Sequence, residues 1–119
     1  MPCQEPVGFL IKADTEQLVY ITDTSHVDYN FPDTTHWMIE CNHSNNLIEK
    51  SLAECRIPLS LYERIRCTHL SIEQVIELFK ANDLNTCQEI HLIHISKGNG
   101  DAEFFQRTIQ ELTGIPVYI

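Results

Sequence analysis

The stretch from residue 68 to residue 96, THLSIEQVIELFKANDLNTCQEIHLIHIS, decides the fold that this sequence predicts. Ser71 and Gln74 form a capping-box pattern, which predicts that a helix begins at residue 72. Apolar residues at positions 72, 75, 76 and 79 recur at helical spacing and give this helix one apolar face. Residues 90 to 95 have the spacing of a strand. The stretch therefore predicts a helix followed by a strand.

Two histidines lie at the ends of these elements. His69 is in the turn before the helix, and His94 is at the end of the strand, on the predicted face of Leu92 and opposite to that of His91. In open α/β sheets, ligands bind beyond the strand ends, and the loops there carry function. We therefore treat His69 and His94 as candidate functional residues.

The sequence on both sides of this stretch predicts further elements. Three strands and two helices are predicted before it, at residues 7–13, 17–22, 36–41, 45–55 and 59–66. Asn42 is a plausible cap for the first of these helices. After the stretch, Asp101 can cap a helix that stops at Gly114, and residues 115–119 form a last short strand.

The predicted fold class is α/β (α+β), with a mixed sheet and helices packed on one face. The 119 residues are enough for one domain, residues 1–119, and too few for two. The strand at residues 7–13 is apolar on both sides, as in a sheet that is buried on both faces. Since the helices cover one face only, something else is expected to cover the other.

Charge and composition exclude several classes of function. The 8 basic and 17 acidic residues give a net charge of −9, so non-specific binding to a phosphate backbone is not expected. No apolar run approaches membrane-spanning length, and the N-terminus lacks a basic region followed by an apolar one. The five cysteines form no metal-binding pair and are interpreted as free thiols in a reducing cytoplasm: Cys3, Cys41, Cys55, Cys67 and Cys87.

Four ionisable residues at element ends form a candidate site. Asp23, Glu40 and His94 fall at strand ends, and His69 precedes a helix. Zinc and hard divalent metals accept carboxylate and imidazole ligands, so Asp23 could bridge two ions and His94 could bind one. His69, paired with Glu40, could donate a proton to a leaving oxygen. Each residue taken alone also fits a structural role, such as a turn, a cap or a satisfied core histidine.

Four segments taken together resemble the metallo-β-lactamase superfamily, and its ribonuclease Z-like phosphodiesterase branch fits best. The segments are Cys3–Thr24, Met38–His43 (MIECNH), Thr68–Ser71 (THLS) and Leu92–Ser96 (LIHIS). The resemblance covers nearly the whole chain but only the C-terminal half of the family domain. That domain is a four-layer αββα sandwich of two similar halves, with one or two metals between them.

The resemblance implies a role for each candidate residue. Asp23 matches the aspartate that bridges the two metals, and His94 matches the last histidine ligand. His69 matches the histidine that assists the leaving group, and Glu40 matches the acidic partner of that histidine. The implied cofactor is zinc or manganese in an incomplete site, because the family's His-x-His-x-Asp-His motif is absent from this sequence.

Two functions are therefore open from the sequence. The first is a metal-dependent, phosphodiesterase-like hydrolase half-domain, inactive until a second half completes it. The alternative is a non-catalytic, truncated module for dimerisation or binding. In both cases the uncovered sheet face would be a large apolar patch, which predicts a homodimer or a separately encoded N-terminal half as partner.

Overall fold

The predicted strands and helices are present in the computed structural model, which describes residues 7–24 and 30–119. The strands are β1 (Val7–Ala13), β2 (Glu16–Thr22), β3 (His36–Glu40), β4 (Glu89–Ile93) and β5 (Val117–Tyr118). The helices are α1 (Asn45–Ala53), α2 (Leu59–Thr68), α3 (Ile72–Ala81) and α4 (Ala102–Thr113). Within the described ranges, none of the helices has the length and apolar content needed to cross a membrane.

The strands of the described residues form one mixed sheet in the order β1-β2-β3-β4-β5. A tight turn at Asp14 and Thr15 joins β1 to β2 as an antiparallel hairpin. The strands from β2 to β5 are paired in parallel. Because parallel strands point the same way, the carboxyl ends of β2, β3 and β4 lie along one edge of the sheet.

The ends of two helices follow the predicted local chemistry. The Ser71 hydroxyl accepts from the N–H of Gln74, and the Gln74 side chain accepts from the N–H of Ser71, so the capping box that begins α3 is confirmed. The Asp101 carboxylate caps α4, and Gly114 ends that helix in the left-handed conformation with φ 71°. These signals explain why α3 and α4 begin, and why α4 ends, where the sequence predicts.

The prediction that Asn42 caps α1 is wrong. The cap is Ser44, whose hydroxyl accepts from the N–H of Leu47 at 3.1 Å. Asn42 lies two residues earlier, and its backbone N–H donates to the carbonyl of Leu70 instead. The asparagine therefore connects loops rather than capping a helix.

Helices α3 and α4 pack against one face of the sheet. Trp37 and Ile39 of β3 point into this core, and the Trp37 ring packs edge-on against Phe79 of α3, with centroids 5.2 Å apart. Val75 of α3 and Phe105 of α4 are fully buried in the same core. Each large apolar side chain buried in this way contributes about 1.5–3 kcal/mol.

The opposite face of the sheet is largely bare in the part of the chain that the structure describes. Phe9 and Ile11 of β1 and Tyr118 of β5 are 60%, 54% and 46% exposed. Between these edges, Leu18 and Met38 line a shallow hollow of about 300 Å³. The predicted fold, a mixed sheet with helices on one face, is confirmed.

The cysteines depart from the prediction at one described position. Cys41, Cys55 and Cys87 carry free thiols, as predicted. Cys67 is disulfide-bonded, so the free-thiol prediction is wrong there. Cys3 lies outside the described residues. Burial raises the pKa of the Cys87 thiol to about 11, which keeps it protonated and unreactive.

Candidate metal centre

The four candidate residues lie together at the carboxyl edge of the parallel strands. Asp23 follows β2, Glu40 ends β3 and His94 follows β4. His69 does not follow a strand; it is the residue that caps the carboxyl end of α2. One ligand atom from each of the four residues lies within 4.8 Å of the others. The structure therefore brings together every residue that the sequence predicts for the site.

Glu40 is the centre of this cluster, and its side chain is fully buried. Its Oε2 atom accepts a hydrogen bond from Nδ1 of His69 at 2.7 Å and lies 2.5 Å from Nδ1 of His94, in ion-pair contact. Its Oε1 atom accepts from the backbone N–H groups of Asp23 and Leu70, both at 3.2 Å. A buried carboxylate needs such partners for its oxygens. Glu40 therefore holds two imidazoles and two loops in place.

His94 reaches Glu40 through a left-handed backbone conformation. β4 ends at Ile93, so His94 lies just beyond the strand rather than within it, and its φ is 59°. A continued strand would place His94 on the core face with Leu92, as the sequence predicts. That prediction is wrong, because the left-handed turn directs the His94 ring to Glu40. This conformation costs a non-glycine residue about 1–2 kcal/mol. Asp23, with φ 56°, shares it.

The cluster is closed on one side and open on the other. Asp23 and His94 have side chains that are 51% and 52% exposed, with Oδ1 and Nδ1 3.9 Å apart. The rings of His69 and His94 meet edge to face, with centroids 5.2 Å apart. Glu40 therefore forms a buried floor, while Asp23 and His94 form a solvent-accessible mouth.

The pKa values of two neighbouring imidazoles, those of His69 and His43, are shifted in opposite directions. The hydrogen bond to Glu40 raises the pKa of His69 and outweighs the lowering by burial. Burial, followed by the charge of His69, lowers the pKa of His43 to about 4. His69 is thus biased toward its charged form and His43 toward its neutral form.

A solved structure matches the whole of this chain. It is the metallo-β-lactamase fold protein YhfI from Bacillus subtilis, which aligns with a TM-score of 0.62 and 15% sequence identity. The fold is metallo-β-lactamase-like. The alignment covers 100% of this chain and 44% of that chain, so this chain spans less than half the length of its neighbour. No family model matches the sequence, and no curated protein matches it.

The donor set of this metallo-β-lactamase-like chain suits a metal ion. Imidazole and carboxylate are common ligands of zinc and manganese. Because Nδ1 of His94 faces Glu40, Nε2 would be the His94 nitrogen left to bind a metal, and the exposed Asp23 would supply a carboxylate oxygen. A carboxylate behind a metal-binding histidine fixes the ring and raises its basicity. Glu40 would occupy that supporting position if His94 bound a metal.

Sequence reasoning missed two buried residues beside the site, Asn42 and His43. The Asn42 amide donates to the backbone carbonyl of His94 at 3.1 Å, and its Oδ1 lies 3.1 Å from Nδ1 of His43. From the sequence, this segment is only a loop that leads into α1. The usable signal is its position just beyond the end of β3, at the same sheet edge as the candidate residues.

Proposed function

We propose that this chain supplies half of the active site of a metal-dependent, phosphodiesterase-like hydrolase of the ribonuclease Z type. A partner would supply the other half. The observation that carries the proposal is the cluster itself, in which a fully buried carboxylate contacts two imidazoles beside an exposed aspartate. Buried charge, a perturbed histidine and left-handed backbone at one sheet edge are features that concentrate at functional sites.

Asp23 and His94 would hold the metal, which is zinc or manganese. Both side chains are half exposed at the mouth of the cluster. When bound, such an ion supplies Lewis-acid chemistry by polarising a phosphoryl oxygen. The Asp23 carboxylate supplies negative charge, and the bond to Glu40 keeps the His94 ring in one orientation.

His69 would donate a proton to the leaving oxygen of a phosphodiester. Its Nδ1 is bonded to Glu40, so the proton would leave from Nε2. The raised pKa of His69 keeps the ring protonated over a wider pH range, which suits a general acid. Glu40 would act only through the rings that it holds.

The site needs a partner because two ligands do not make a catalytic metal site. Catalytic zinc sites use three protein ligands and an open position. The bare sheet face ends at this cluster, since Glu40 and Met38 lie on the same side of β3. A partner that covers the exposed Phe9 and Ile11 would also reach the metal ligands. We propose a second copy of this chain or a separately encoded N-terminal half.

Metal binding tests the proposal on the full chain. We expect weak binding of zinc or manganese to the chain alone, and hydrolysis of bis(p-nitrophenyl) phosphate only by the associated form. Asp23→Asn should weaken binding about tenfold or more. Asp14→Asn is the matched control, because Asp14 also has a left-handed φ, 52°, after a strand. Equal affinities of wild type and Asp23→Asn would overturn the proposal.

A separate experiment tests the acid. In the associated, active form, His69→Ala should lower kcat far more than it lowers the metal content of the protein. An equal loss of activity and metal would make His69 a structural residue rather than a proton donor.

Sedimentation equilibrium tests the partner. Phe9→Glu places a charge on the bare face and should abolish association, whereas Leu59→Glu on α2 should not. Both side chains are similarly exposed, at 60% and 57%, so the two changes differ mainly in location. A folded wild-type chain that stays monomeric, alone and with an N-terminal half added, would contradict a partner at this face.

The alternative function is a non-catalytic module for dimerisation or binding. The absence of a His-x-His-x-Asp-His motif in these residues favours it. It predicts a folded, associating protein that retains no zinc or manganese and hydrolyses no bis(p-nitrophenyl) phosphate in any associated form.

A further inference from the structure

We infer that Asn42 is a positioning residue that sets the orientation of His94 and thereby the affinity of the cluster for metal. The inference rests on the proposed metal site but concerns a residue to which that site assigns no role. Asn42 is 8% exposed and lies two residues beyond Glu40. Its side-chain amide donates to the backbone carbonyl of His94 at 3.1 Å.

Asn42 connects both loops that carry the imidazoles. Its backbone N–H donates to the carbonyl of Leu70, next to His69, at 2.9 Å. Its backbone carbonyl accepts from the N–H of Ser96, two residues after His94, at 2.8 Å. Together with the side-chain bond, these contacts join the end of β3 to the loops after α2 and β4.

The His94 backbone needs this support because its conformation is strained. A left-handed φ costs a non-glycine residue about 1–2 kcal/mol, and such residues persist where neighbours over-determine them. The Asn42 amide fixes the carbonyl of His94 itself, so it acts on the peptide plane that orients the ring. Glu40 holds the ring, and Asn42 holds the backbone from which the ring projects.

The surroundings of Asn42 leave little freedom. Its Oδ1 lies 3.1 Å from Nδ1 of the buried His43. When Oδ1 accepts a hydrogen bond from that nitrogen, the amide nitrogen of Asn42 is on the side of His94. Gly100 passes close by, because a Cβ at that position would come within 2.9 Å of the Asn42 carbonyl oxygen. The Asn42 backbone is therefore closely packed, and both ends of its side-chain amide have a partner.

The test compares Asn42→Ala with Asn82→Ala. Asn82 is a buried asparagine (9% exposed) whose side chain also makes two hydrogen bonds, to the carbonyl of Leu78 and from the N–H of Phe31. We expect similar losses of stability to urea. Zinc titrated into the full chain should bind about tenfold or more weakly to Asn42→Ala, and within about twofold of wild type to Asn82→Ala.

A crystal structure of Asn42→Ala supplies a readout that does not depend on metal. We expect φ of His94 to leave the left-handed region, or its ring to lose contact with Glu40. Wild-type zinc affinity together with an unchanged His94 would overturn the inference. If the wild-type chain binds no zinc, the proposed function fails, while the conformation of His94 still decides the role of Asn42. If Asn42→Ala does not fold, Asn42→Ser removes the same bond with a smaller cavity.

Discussion

Among the residues that the structure describes, two groups of one glutamate and two histidines lie at the uncovered face of the sheet, and only one of these groups forms a candidate metal centre. The glutamate side chain is fully buried in the first and 40% exposed in the second. In the second group, the shortest contact is 3.0 Å and the other is 3.6 Å. The Glu40 group is Glu40 with His69 and His94, and the Glu89 group is Glu89 with His36 and His91.

The difference between the groups lies in the backbone that surrounds them. His36 and His91 are ordinary strand residues whose side chains alternate with core residues. Among the described residues, no backbone N–H group of a loop donates a hydrogen bond to the Glu89 carboxylate. In the Glu40 group, two backbone N–H groups bond to the carboxylate, and one imidazole follows a left-handed turn. The two groups therefore share their residue types and differ in burial and in the loops that their glutamate connects.

Removing each glutamate tests this comparison with the largest expected effect. Glu40→Ala leaves two imidazoles and two backbone N–H groups without their acceptor, and should lower the free energy of unfolding by about 3–5 kcal/mol. Glu89→Ala removes exposed ion pairs and should cost about 0–1 kcal/mol. Urea denaturation of both variants measures the difference. Equal losses would mean that the Glu40 group has no special role in the fold.

A buried imidazole beside the Glu40 group should make stability depend on pH. The pKa of His43 is lowered to about 4 in the folded chain, whereas the unfolded chain takes up the proton near 6.5. Stability from this group is therefore fully present above pH 6.5 and is lost as the pH falls toward 4, by at most about 3 kcal/mol. Urea denaturation between pH 4 and pH 8 should show a shallower dependence for His43→Gln than for wild type.

The control for this dependence is His91→Gln, which changes a partly exposed imidazole of the Glu89 group. It controls for the loss of one histidine at a position that is not buried. The same slope in His43→Gln and wild type would show that the folded chain binds the proton as readily as the unfolded chain, and that burial does not keep His43 neutral.

The sequence predicted the helices and strands, and which residues lie together in the cluster, better than it predicted the geometry of the cluster. The capping box at Ser71 and the stop at Gly114 act within a few residues, so local patterns reveal them. Asp23 and Glu40 were predictable because parallel strands end at one edge. The direction of His94 was not, since period-two alternation assumes a continued strand. Nor was the role of Asn42, because its partners lie in loops that are distant in sequence.

Replacing one histidine in each group should change the affinity for zinc in one group only. We expect this effect to be smaller than that of removing Glu40. His94→Ala should weaken zinc binding about tenfold or more, because it removes a ligand that a carboxylate orients. His91→Ala, on a ring that stacks on Tyr118 with centroids 5.0 Å apart, should leave the affinity unchanged. Isothermal titration of each variant with zinc measures both. Loss of affinity in His91→Ala alone would place the metal in the Glu89 group.

The smallest effect is expected from relieving backbone strain at two residues with a left-handed φ, one inside the candidate site and one outside it. Cys55, just beyond α1, has the same φ as His94, 59°. Its N–H and that of Arg56 bond to the last turn of α1, in the arrangement that usually places glycine at this position. Cys55→Gly should therefore raise the free energy of unfolding by about 1 kcal/mol, and Cys55→Ala should not.

The same change at His94 should have the opposite sign. His94→Gly relieves an equal backbone strain, but it also removes the ring whose Nδ1 contacts the buried carboxylate of Glu40, and losing a contact with a buried charge costs about 1.5–3 kcal/mol. Thermal or urea unfolding under reducing conditions measures both variants. If glycine stabilised both positions alike, the left-handed turn at His94 would be incidental. A gain at Cys55 with a loss at His94 would show that the strain is retained because it places the imidazole against Glu40.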